Sequence, residues 1–157
     1  MSNKYINIYN NLVNLTRNKD LYKNFLKHDT FSDRLILFFF HFAFFLKVFK
    51  KDNEKKILQD IYDQNFKYLE SSIREMGYGD ASINKKMKNY LNTFHSILDQ
   101  IHDWEISHDS HKTKVLSNFF NINLKTSNLI DYFDNYIINL SNNTLNFYIK
   151  GVVKDKF

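Results

Sequence analysis

The side chains best suited to chemistry are the six histidines, three of which directly precede an acid, at His28-Asp29, His102-Asp103 and His108-Asp109. Imidazole beside carboxylate suits a metal-dependent phosphohydrolase. Such a centre needs ligands converging from several elements, and adjacency along the chain does not supply convergence. His95, His102, His108 and His111 bunch around one predicted helix end, where they read as ordinary surface histidines. With no cysteine there is no thiolate ligand, disulfide or cysteine nucleophile. No glycine-rich phosphate loop follows a strand, and no Gly-x-Ser-x-Gly elbow is present. The chain therefore reads as a non-enzyme, with no metal and no cofactor.

Recognition chemistry is better supplied. Ile73-Arg74-Glu75-Met76-Gly77-Tyr78-Gly79-Asp80, followed by Lys85-Lys86-Met87-Lys88, holds two of the three glycines in the chain. It lies between two long amphipathic patterns, so Gly77 is expected to end one helix in a left-handed conformation and Gly79 to free the next turn. Asp80 or Ser82 then caps the following helix. Lys85 and Lys86 near that helix start oppose the macrodipole, which favours acids there. A local rule broken without structural benefit points to binding, with Arg74, Glu75, Met76, Tyr78, Asp80, Lys85, Lys86 and Lys88 as candidate partner-binding residues. A local reading of Arg74 also stands, because a helix C-terminus welcomes Arg and Glu70 can pair with it.

This segment resembles the ubiquinol-cytochrome c chaperone family, in which a helix ends in an Arg-Glu-Met-Gly-Val-Gly-Asp-like element and the next opens with Lys-Lys-Met. Arg74, Glu75, Met76, Gly77, Gly79, Asp80, Lys85, Lys86 and Met87 match, and Tyr78 replaces a small aliphatic residue. A second match lies upstream, at Tyr22 and Asp29-Thr30-Phe31-Ser32-Asp33-Arg34, ahead of a Leu-rich helix containing His41. The resemblance runs from about Arg17 to about Trp104, and residues 109–157 match loosely. It implies an assembly chaperone for the respiratory cytochrome bc1 complex (complex III), binding immature cytochrome b. A small accessory assembly protein is a further partner it admits. It also gives Asp29, Arg34, His41, Gly77 and Gly79 structural or partner-binding roles.

The elements that must position these residues are helices. Proline is absent and glycine scarce, which removes the usual punctuation of β-rich folds. At 157 residues, 43% hydrophobic and 17% aromatic, the chain is expected to form one domain, an all-α bundle of about six or seven helices. Periodicity places them near residues 5–15, 20–27, 30–46, 53–76, 82–103, 114–120 and 127–140, with 144–157 a frayed turn or extended tail. Thr30 and Asp33 have the form of a capping box. Leu58, Ile61, Tyr62, Leu69, Ile73 and Met76 make the inner stripe of the fourth helix. Residues 35–46 are apolar on every face except at His41, about a dozen where a membrane span needs about 20. Such a helix is either central to the bundle or covered by a partner on one face, and burial is the reading preferred here. His41 within it reads as a structural anchor satisfied by a hydrogen bond.

A net charge of +5 suits anionic lipid, acidic protein or ribosomal RNA. The alternative function is accordingly a basic peripheral membrane- or RNA-binding module, with nucleic acid the less favoured partner and ribosome proximity left open. The absence of cysteine fits a reducing compartment, and residues 1–7 carry no secretory or transit pattern. The expected location is the bacterial cytoplasm, peripheral at the inner membrane, ahead of a mitochondrial matrix.

Overall fold

The computed structural model describes residues 3–24, 30–120 and 126–151. Among them are eight α-helices and no strand: α1 Ile6–Thr16, α2 Lys19–Asn24, α3 Phe31–Phe49, α4 Lys55–Glu75, α5 Asp80–Gln100, α6 Asp109–Phe119, α7 Thr126–Ser141 and α8 Leu145–Lys150. Short 3-10 turns at Lys50–Asp52 and Trp104–Ile106 follow α3 and α5. The fold is the all-α bundle expected, its six longer helices joined by the short α2 and α8. No described helix is long and apolar enough to cross a membrane.

Helix α3 is the axis of the bundle. Successive residues of a helix point about 100° apart, so an unbroken apolar run needs neighbours on every side. It has them. Phe38 meets Tyr9 of α1; Phe39 meets Phe66 of α4 and Phe94 of α5; Phe40 stacks on Phe133 of α7. Phe44 packs edge-on to Trp104, and Phe45 to Tyr148 of α8. All these α3 phenylalanines are buried, so the aromatic faces do not supply a free apolar docking surface. Thr30 caps α3 as its spacing suggests, its hydroxyl accepting the Asp33 N–H at 3.1 Å.

Several boundaries move for local reasons. Helix α4 starts at Lys55 because Asn53 is left-handed (φ 56°), a conformation Asn tolerates and a helix excludes. Helix α5 starts at Asp80 rather than Ser82, with Gly79 as its N-cap. Met76, expected on the inner stripe, is 51% exposed, because it stands where the chain leaves α4 and the core below has ended. Helix α6 begins at Asp109, well ahead of 114, with Asp109 in the first turn where an acid is favoured. Helix α2 is described as far as Asn24, and the remainder of the expected 20–27 helix lies outside the described residues. The expected tail contains α8, capped by the Thr144 hydroxyl and closed by left-handed Gly151. Asn142 and Asn143 separate α8 from α7, which ends at Ser141.

Candidate functional site

The turn between α4 and α5 is built from two glycines in different conformations. Gly77 is left-handed (φ 96°) and donates its N–H to the Arg74 carbonyl at 2.9 Å, closing α4. Gly79 is extended (φ −77°, ψ 163°), open to any residue, and a side chain there would meet nothing within 4 Å. Its expected role as a conformational release is therefore corrected. Asp80 is likewise no side-chain cap. It pairs with Arg74 in a short contact across the turn, and Arg74 also approaches Glu70 at 4.0 Å. The hydrogen bond that Arg74 donates to Asp80 raises the Arg74 pKa further, so the guanidinium is tied down as a brace of the turn.

Around that brace lies an amphipathic surface. Tyr78 is 42% exposed, with the Lys86 ammonium 4.5 Å from its ring centroid, a cation–π arrangement. Met76 stands beside it in sequence and Glu75, Lys85 and Lys88 are exposed, while Met87 is buried and anchors the rim. Because α5 begins at Asp80, Lys85 and Lys86 fall in its second turn, beyond the reach of the macrodipole. The electrostatic anomaly read from the sequence is thus removed. The exposed cations remain.

Arg34 belongs to a groove of about 140 Å³ among α1, α3 and α4. Val13, Phe31, Leu35, Phe38 and Leu69 give it an apolar lining, and Arg17 and Arg34 stand in it. Leu69 and Ser72 of this groove are within two turns of Met76 on α4, so the groove adjoins the α4 end that carries the turn. The two sequence blocks, some forty residues apart, meet through α4. Asp29 and His28 lie outside the described residues.

His41 is elsewhere, fully buried in the bundle. Its Nδ1 lies 2.7 Å from the Leu37 carbonyl, which can only accept, so Nδ1 carries the proton. Nε2, 2.6 Å away from the Tyr132 hydroxyl, then accepts from it. Burial lowers its pKa to about 4, outweighing the backbone hydrogen bond that raises it. A neutral histidine joining α3 to α7 is a structural anchor. Among the described residues no three His, Asp or Glu side chains group as metal ligands. His102 and Asp103 approach only to 4.0 Å on the surface, and His95 bonds the Tyr62 hydroxyl at 2.8 Å.

Sequence reasoning missed one polar cluster. Asp134 of α7 accepts from the Trp104 indole at 2.8 Å and from buried Lys112 at 3.2 Å, and Lys112 lies over the Trp104 ring. Lys47 was missed too; it donates to the Ile101 carbonyl at the end of α5 and to Glu105. Spacings of 22 to 58 residues carry no local signal for such contacts.

The family profile described as ubiquinol-cytochrome C chaperone matches residues 24–127, beginning later and reaching further than the stretch the sequence motifs suggested. The chain is also similar to a solved structure, the crystal structure of the Cbp3 homolog from Brucella abortus. The TM-score is 0.78 at 22% identity, over 96% of this chain and 87% of that one, a likeness of fold. No curated protein matches it.

Proposed function

The chain belongs to the ubiquinol-cytochrome c chaperone family, and from that premise we propose that it holds newly made cytochrome b at the α4–α5 turn before the cytochrome bc1 complex is assembled. The action is non-catalytic. One observation carries the reading: exposed Met76 and Tyr78, the Lys85–Lys86–Lys88 rim and an apolar groove with two arginines gather at the same end of α4. An immature membrane subunit offers apolar helix surface flanked by polar loops. Flexible thioether and aromatic contacts suit the first, and fixed cations suit the second or the lipid headgroups around it. Glu75, Arg74 and Asp80 brace and border this surface. A small accessory assembly protein and an anionic membrane surface are further partners on this reading, at the inner face of a bacterial membrane.

Deleting the gene, in an organism that makes the bc1 complex, is expected to lower that complex while other respiratory complexes stay near normal. Unchanged bc1 levels overturn the function. The site is tested by Lys85→Glu with Lys86→Glu, which should melt within about 1 kcal/mol of wild type, the scale of one exposed cation–π contact, while recovering much less crosslinked cytochrome b. Unaltered recovery, or loss only in proportion to unfolding, removes these lysines from the site.

A further inference from the structure

At the opposite end of α4 lies a second, larger groove of about 580 Å³ between α3, α4 and α5. Its side chains are arranged in tiers. Lys50 and Lys55 stand either side of left-handed Asn53, where the chain turns from α3 into α4. About one helical turn deeper on each helix come Leu46 and Leu58, joined by Leu98 of α5. Beyond them Tyr62 and His95 close the apolar stretch with their 2.8 Å hydrogen bond. Among the described residues the lining holds two ammonium groups, the Gln59 amide and no carboxylate. A concave apolar seat of 300–1,000 Å³ with few polar groups is typical of small-molecule sites. Of the exposed large hydrophobics, Ile106 stands near this end, next to Glu105, the partner of Lys47, but it is not in the lining of the groove.

Going beyond cytochrome b binding, we propose that this groove seats one acyl chain of an anionic membrane phospholipid, with its phosphate held between Lys50 and Lys55. Cations at one end and apolar body below match an amphiphile with a single charged head. Lys51 and Lys56 are exposed beside the site but are not in its lining, which makes them the proper control. Co-sedimentation of the full chain with phosphatidylcholine vesicles, with and without phosphatidylglycerol, tests the idea. Retention is expected only with phosphatidylglycerol, and Lys50→Glu with Lys55→Glu should weaken it about tenfold or more. Lys51→Glu with Lys56→Glu, and Lys85→Glu with Lys86→Glu, should change it much less. Dihexanoyl phosphatidylglycerol below its micelle concentration should shift the His95 imidazole resonances in wild type but not in the Lys50 and Lys55 double variant. Equal losses in the Lys51 and Lys56 variant mean diffuse attraction and overturn the site. So does displacement by glycerol phosphate alone or by polyglutamate, which lack an acyl chain, and so does a silent His95. These outcomes are independent of cytochrome b recovery, which reports on the other end of α4.

Discussion

Gly77 and Gly79 stand two residues apart and meet opposite demands. Gly77→Ala forces a Cβ into the left-handed region and should destabilise by about 1 kcal/mol, although the space around it is empty. Gly79→Ala, in ordinary extended backbone, should stay within a few tenths of a kcal/mol. Thermal melts of the two variants separate these cases, and equal losses would refute the assignment. His41 gives a pH prediction of definite sign. Its folded pKa of about 4 lies below the 6.5 of the unfolded chain, so the unfolded state binds the extra proton between those values. Its contribution is complete above about 6.5 and declines as pH falls towards 4, by roughly 3 kcal/mol in all. Wild type should therefore lose more stability than His41→Gln across that window. Parallel pH profiles for the two proteins would show that His41 is not held neutral.

Helix α8 separates what one sequence reveals from what it hides. Tyr148 is 4% exposed and packs edge-on to Phe45 and Phe49, while Asn7 of α1 donates to the Ile149 carbonyl. Tyr148→Ala should therefore cost about 3 kcal/mol, the range of buried aromatic truncations. A frayed tail would lose almost nothing, so chemical denaturation decides between them. The helical stripes of α1, α5 and α7 were legible because burial on one face leaves a 3.6-residue period: Ile8, Leu12 and Leu15, then Ile83, Met87 and Phe94, then Leu129, Phe133 and Tyr136 are all buried. So was the Thr30 cap, a local hydrogen bond over three residues. The onset of α6 and the docking of α8 were not, because a polar first turn and a six-residue helix have too few apolar positions to show a period. The turn motif was legible in composition, but whether Gly79 needed its freedom, and where α5 began, depended on backbone angles that residue types leave open. The Phe31 to Ser72 groove and the Lys112–Asp134–Trp104 cluster arise from tertiary packing alone.

At the scale of the molecule, the proposed function requires a chain of net charge +5 to prefer a membrane subunit over the nucleic acid that any basic surface attracts. On that reading the preference rests on how the charges are distributed. Arg74 is committed to Asp80 and Glu70, Lys47 to Glu105, and Lys112 to Asp134, so these three of the 22 lysines and arginines are already engaged within the fold. Near the turn, one of the cations, Lys86, lies over the Tyr78 ring, so cation and apolar surface meet there. Phosphate-backbone binding that engages six to ten cations falls by about 10³ to 10⁵ between about 50 and 200 mM salt, through counterion release. Apolar burial has no such dependence. Binding of a cytochrome b transmembrane segment, presented in a nanodisc or mild detergent, should thus change less than about tenfold over that salt range, since only a few exposed charges are screened. Met76→Ala with Tyr78→Ala should weaken it more than Lys88→Ala does, because Met76 and Tyr78 supply the exposed apolar contact of the turn. A steep salt slope that persists in the Met76 and Tyr78 variant would instead assign the surface to electrostatic recognition of a polyanion.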